Sequence, residues 1–138
     1  MTDKILCATD GTKHSEPAVH LAAQLATKPG AEMTVCFVNV AVGGARGPVI
    51  YSLDDKDAKI IVDNAAAQAR KTGAAKVDEI ILQSRDAAAA IVHYAESKGF
   101  THIITGTGDR HGVSRLMLGS VAADIAHRAH CTVTIARG

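Results

Sequence analysis

At 138 residues the chain makes one domain, large enough to bury roughly two thirds of the surface its unfolded form exposes. A content of 47% hydrophobic and 21% charged residues excludes a disordered or fibrous chain. With 15 Lys and Arg against 14 Asp and Glu, the sequence is close to neutral, which argues against nucleic acid as the main partner.

The opening segment MTDKILCATDG has no cationic stretch followed by a long apolar run and a small-residue cleavage site. No stretch approaches the roughly 20 apolar residues of a membrane span. The cysteines Cys7, Cys36 and Cys131 form no Cys-x-x-Cys pair and no disulfide framework, which suits a reducing compartment. These features predict a cytoplasmic protein with no membrane partner.

Lys4 to Thr9 is a short apolar run ending at Asp10-Gly11-Thr12, the pattern of a strand buried on both faces. From Ser15 the sequence SEPAVHLAAQLAT puts Ala18, Leu21, Ala22 and Leu25 on one helical face, with Ser15 as N-cap and Pro17 in the first turn. Lys28-Pro29-Gly30 stops that helix. Glu32 to Val40 is rich in β-branched residues and reads as the second strand. Ala41 to Leu53 has glycines, a proline and no steady period, and is predicted to be a long loop. Asp54 to Thr72 then carries Ala58, Ile61, Val62, Ala65 and Ala69 at helical spacing, with Gly73 as its cap.

Lys76 to Gln83 is the third expected strand, Asp86 to Lys98 an alanine-rich helix ended by Gly99, and Thr101 to Thr105 the fourth strand. A glycine-rich loop at Gly106 to Gly112 leads to a helix over Leu118 to His130 and a last strand, Cys131 to Ala136. Strands alternating with helices imply right-handed crossovers and one parallel sheet covered on both faces, with no internal repeat and no linker.

In such a sheet, ligands bind beyond the carboxyl ends of the strands where strand order reverses. That rule selects Ala8-Thr9-Asp10, Asn39-Val40 and the loop from Gly106, which runs on to Gly119-Ser120 at a helix start. Unpaired N–H groups and the helix dipole there favour an anion such as phosphate.

The stretch Gly106 to Val121, with Gly106, Gly119 and Ser120 in a Leu-Gly-Ser-Val context, resembles the nucleotide-binding signature of the universal stress protein family: Gly, two residues, Gly, nine residues, then Gly-Ser or Gly-Thr. Asp10-Gly11-Thr12 with Ser15 close behind, the Phe37-Val38-Asn39-Val40 strand end and the final strand extend the resemblance over the whole chain. The second glycine of the signature is Asp109 here, with Gly108 one residue earlier.

The resemblance implies an α/β fold: a doubly wound, five-stranded parallel sheet in the order 3-2-1-4-5, with helices on both faces. It also implies adenine and ribose contacts at Ala8, Thr9, Asp10 and the Val40 backbone, and phosphate contacts at Gly106, Gly119, Ser120 and Val121, with Gly108 and Asp109 in the same loop. An Asp at a strand end can accept from both ribose hydroxyls, and a strand-end backbone can read an adenine edge. The implied cofactor is ATP, alone or with Mg or Mn. A carboxylate at Asp109 adds like-charge repulsion of about 1 kcal/mol against a triphosphate, offset if Asp109 points outward or helps hold a divalent cation. If the repulsion abolishes binding, the chain is a nucleotide-free regulatory dimer.

Plainer readings stand beside these. Asp10 can cap a turn before a glycine, the glycines from Gly106 can be ordinary turn residues, and Ser120 can be an N-cap. The seven histidines lack zinc-ligand spacing. Cys7 and Cys36 fall on neighbouring strands, which admits a redox pair beside the default of two buried hydrophobes. No Gly-Lys-Ser or Gly-Lys-Thr motif and no placed base accompany the site, so the expectation is a non-enzyme, at most a very slow ATPase. The last strand, Cys131 to Ala136, is uncharged and free of proline, and lies at a sheet edge in the implied order. It is predicted to pair with a second copy in a homodimer that serves an unidentified client protein.

Overall fold

The structure, a computed structural model, describes residues 3–107 and 119–137. Five parallel strands follow one another across the sheet from β4 (Val77–Ser84) through β2 (Glu32–Gly43), β1 (Lys4–Ala8) and β5 (His102–Gly106) to the edge strand β6 (Thr132–Ala136). The five expected strands therefore stand in the expected order. β1 lies between β2 and β5, with Ala8 opposite Cys36 and Cys7 opposite Ile104.

The segment after the second strand departs from the predicted loop. β2 runs on to Gly43, the chain reverses through Gly43 and Gly44 at φ of 79° and 94°, and a sixth strand β3 (Val49–Tyr51) returns antiparallel to it. Positive φ costs glycine no Cβ clash, and the β-branched Val49-Ile50 pair then extends readily. The hairpin is pinned from three sides. Arg85 donates to the Gly43 carbonyl, Ser52 donates to the Val40 carbonyl through both its N–H and its hydroxyl at 3.0 Å, and the Asn39 amide holds Leu53.

Helices α1 (Glu16–Leu25) and α2 (Asp55–Thr72) cover one face; α3 (Ala87–Ser97) and α4 (Ser120–Arg128) cover the other. In α1 the buried residues are Ala18, Val19, Ala22 and Ala23, while Leu21 and Leu25 pack at the margin of the core. Small side chains let the helix lie close to Ile5, Met33 and Val35 on the sheet. Asp54 caps α2 by accepting from Asp57 N–H, and Gly73 ends it at φ 121°. Ile61 is half-buried, and Ala66 completes the inward face instead. Asp86 caps α3 by accepting from Ala89 N–H.

Strand periodicity divides the apolar residues between two cores, because successive side chains point to opposite faces. Ile5, Cys7, Met33, Val35 and Ile104 meet α1 and α2; Leu6, Ala8, Cys36, Val38 and Ile103 meet α3 and α4. Cys7 and Cys36 thus sit on opposite sides of the sheet, and the redox pair admitted by the sequence is excluded by register. Among the described residues no helix is long and apolar enough to cross a membrane.

Candidate functional site

A cleft of about 470 Å³ opens at the carboxyl ends of β1, β2 and β5. The strand ends bring Ala8, Thr9 and Asp10, then Val38 and Val40, then Thr105 and Gly106 to its walls, and the start of α4 closes it with Gly119, Ser120 and Val121. Every expected site residue that the structure describes lines this one cleft. Gly108 and Asp109 lie outside the described residues.

One side of the cleft is apolar. Val38, Val40, Ala87 and Ile91 form a wall suited to a flat heteroaromatic ring. Cys36 also lines it, a buried thiol whose desolvation pushes its pKa up to about 12, so it is neutral and no nucleophile. The Val40 carbonyl already accepts from Ser52, so an adenine edge reaching that oxygen displaces a rotatable hydroxyl.

The other end is polar and built from backbone. Gly119 is the N-cap of α4, and among the described residues no side chain caps that helix. The first turn of a helix leaves its leading N–H groups without intrahelical partners, and Gly119 to Ala122 all border the cleft. Gly119 N–H donates to the Thr107 carbonyl at 3.0 Å, which ties this helix start to the end of β5. Gly106 permits the close approach: a Cβ there would lie 2.5 Å from the His14 carbonyl oxygen.

Between the two ends stands the turn after β1. Asp10 Oδ1 accepts from Thr12 N–H at 2.8 Å and from the Thr12 hydroxyl at 2.6 Å. The turn reading of Asp10 and its place in the cleft hold together: one carboxylate oxygen anchors the turn, and the residue stays exposed at the cleft wall. Ser15 occupies the N-cap position of α1 without a side-chain capping bond. Its hydroxyl turns back to the Thr12 carbonyl at 2.9 Å and to Thr9 Oγ1 at 2.9 Å. The capping side chain is Thr12, one turn earlier, which accepts from His14 N–H at the 3₁₀ turn Lys13–Ser15.

The sequence reading missed His14, Ser52, Ile91 and Thr107 as lining residues. Thr107 follows directly from the signature. Ile91 lies on the buried face of α3, whereas nothing near Ser52 in sequence signals its bond to Val40.

A model of the Universal stress protein family matches residues 1–137. The chain belongs to the universal stress protein family. Universal stress protein YxiE of Bacillus subtilis (strain 168) is 28% identical over 150 residues, covering 99% of this chain and 100% of the relative. Among solved structures, a universal stress protein from Archaeoglobus fulgidus is 26% identical, with a TM-score of 0.76 and coverage of 98% of this chain and 93% of the other. A universal stress protein in complex with cAMP matches at 22% identity, TM-score 0.76, over 98% and 96% of the two chains. The Archaeoglobus fulgidus universal stress protein in complex with dAMP matches at 23% identity, TM-score 0.74, over 99% and 98%. These likenesses bear out the doubly wound α/β class.

Proposed function

We propose that this universal stress protein is a cytoplasmic, nucleotide-responsive regulatory module that binds an adenine nucleotide, ATP foremost, in the cleft between β1, β2, β5 and α4. The observation that carries the reading is the convergence of Ala8, Thr9, Asp10, Val40, Gly106, Gly119, Ser120 and Val121 on one cavity from four separate elements. Its apolar wall suits the base, the Asp10 carboxylate a sugar hydroxyl, and the backbone N–H groups at the start of α4 the phosphates. Proteins of the same fold in complex with cAMP and with dAMP support the adenine preference. Among the described residues no group of three His, Cys, Asp or Glu converges as metal ligands. A Mg or Mn ion accompanying the nucleotide would be held chiefly by the phosphates, with at most one or two carboxylates beside them.

In this reading the role is binding with at most very slow turnover, because the loop carries no Gly-Lys-Ser or Gly-Lys-Thr motif. Thermal unfolding with and without millimolar ATP tests the reading. A ligand that binds only the folded state raises the melting temperature by mass action, and an unchanged midpoint overturns it. ATP hydrolysis above a buffer blank, abolished by Ser120→Ala, would overturn the non-enzymatic part.

A second reading, a nucleotide-free regulatory dimer acting on a client protein, is favoured by one observation: Asp109 replaces the second glycine of the signature. A nucleotide that co-purifies with the chain eliminates it.

A further inference from the structure

Thr9 and Ser15 are buried hydroxyl residues that stand between the nucleotide cleft and a second, polar groove of about 570 Å³ between α1 and α2, and both line both cavities. Their hydrogen bonds can be assigned directions. A hydroxyl has one proton, and the Thr12 carbonyl can only accept, so the Ser15 proton goes to Thr12 O at 2.9 Å. The 2.9 Å contact between Thr9 Oγ1 and Ser15 Oγ is then a donation from Thr9. Thr9 Oγ1 in turn accepts from Gly11 N–H at 3.2 Å. Neither hydroxyl keeps a proton for a ligand.

What the two residues hold is the turn that carries Asp10. Ser15 grips the Thr12 carbonyl through its N–H as well as its hydroxyl, and Thr12 holds Asp10 Oδ1 through its own N–H and hydroxyl. Gly11, at φ 82°, closes the turn. Asp10 Oδ2 has no partner among the described residues, and Asp10 borders the nucleotide cleft but not the second groove. An exposed aspartate would otherwise sample several rotamers. Here one oxygen is fixed, which aims the other.

We propose that Thr9 and Ser15 are positioning residues: a buried hydroxyl brace that, through Thr12, locks the Asp10 carboxylate in the orientation that reads the sugar of the bound nucleotide. This rests on the adenine-nucleotide reading above. It assigns Thr9 a role through Asp10, distinct from a contact of its own with the ligand.

Titration calorimetry with ATP and with 2′,3′-dideoxy-ATP, which lacks both sugar hydroxyls, tests the brace on the unmodified chain, Thr9→Val, Thr9→Ser and Ser15→Ala. The unmodified chain is expected to prefer ATP by about tenfold, the scale of one hydrogen bond to a charged group. Thr9→Val and Ser15→Ala should bring the two ligands within about twofold by weakening ATP alone, while Thr9→Ser, which keeps the hydroxyl, retains the preference. A purely structural defect would weaken both ligands together and overturns the proposal, as does a Thr9→Val protein that keeps its preference. If the unmodified chain binds both ligands equally, the brace fails and the nucleotide reading survives; if it binds neither, both fail. Should the two buried variants not fold by far-UV circular dichroism, Thr12→Val, at an exposed position, must lose the preference in the same way.

Discussion

Asn39, 1% exposed, holds Leu53 with both ends of its amide: Nδ2 donates to the Leu53 carbonyl at 2.7 Å and Oδ1 accepts from Leu53 N–H at 3.0 Å. This pair imitates one rung of a sheet where no strand continues, and it fixes the return of the β2–β3 hairpin beside the cleft.

Asn39→Leu keeps the approximate volume and removes both bonds. Leaving the half-buried Leu53 N–H and carbonyl without these partners costs up to about 1–3 kcal/mol, so urea unfolding should show a loss on that scale. Proteolysis should also cut first in the hairpin, whose Ser52–Val40 bonds lose their neighbouring anchor. A variant as stable as the unmodified chain would show that water replaces the amide without penalty.

Gly106→Ala places a methyl 2.5 Å from a backbone oxygen, that of His14, which cannot swing away as a side chain would. Overpacking of this kind costs about 1–3 kcal/mol, and it should also weaken ATP because the cleft wall moves. Gly47→Ala, where no atom lies within 4 Å of an added Cβ, is the control and should stay within about 0.5 kcal/mol.

Burial raises the pKa of Cys7 and Cys36, the latter to about 12 against an ordinary value of 9.0. A group whose pKa is raised on folding stabilises the fold fully below its unfolded value and loses that contribution as pH climbs through the folded one. Stability should therefore fall from about pH 9 toward pH 12, by up to about 1.4 kcal/mol per pH unit for each thiol that ionises only on unfolding. Denaturation midpoints measured across that window check the slope, and Cys36→Ala should reduce it. At pH 8 a thiol reagent should label half-buried Cys131 alone until the chain is denatured. Labelling of all three at native rates would contradict this.

Asp109 occupies the second glycine position of the signature. If its carboxylate opposes the phosphates, Asp109→Gly tightens ATP more than AMP, because the repulsion grows with phosphate charge. Equal effects on the two nucleotides, or none, would remove Asp109 from the site.

β6 ends the sheet, hydrogen-bonded to β5 on one side, and an open uncharged edge is a template for a second copy. We expect a two-fold dimer across this strand at tens of micromolar, measured by sedimentation. Val133→Pro, which removes a donor and blocks the ladder, should give monomer or insoluble protein. A soluble dimer of that variant moves the interface elsewhere.

Most of the fold was legible because its signals are local. Pro17, Gly73 and Gly99 mark helix ends through their own backbone chemistry and Asp54 and Asp86 through their capping carboxylates, and continuous apolar runs mark the buried strands. The signature marks Gly106, Gly119, Ser120 and Val121, which border the same cavity as Ala8, Thr9, Asp10 and Val40. What escaped depends on pairing across the chain. Val49 to Tyr51 becomes a strand because β2 extends beyond Val40 to meet it, and nothing within residues 41–53 specifies that extension. The Ser15 hydroxyl faces a choice between capping its own helix and bonding Thr9, six residues away. The opposite facing of Cys7 and Cys36 follows from a register in which Cys7 meets Val35 and Ala8 meets Cys36, since one residue of offset inverts the side.

β1 is five residues long, yet Ile5 and Cys7 belong to one hydrophobic core and Leu6 and Ala8 to the other. The helices on the two faces therefore share a single thin partition and have no independent foundation. Loosening either layer strips the support from the strand on which the other rests. Melting of the α1–α2 layer and of the α3–α4 layer should then be one cooperative event, in which the β1 amides exchange with solvent only when the whole molecule opens.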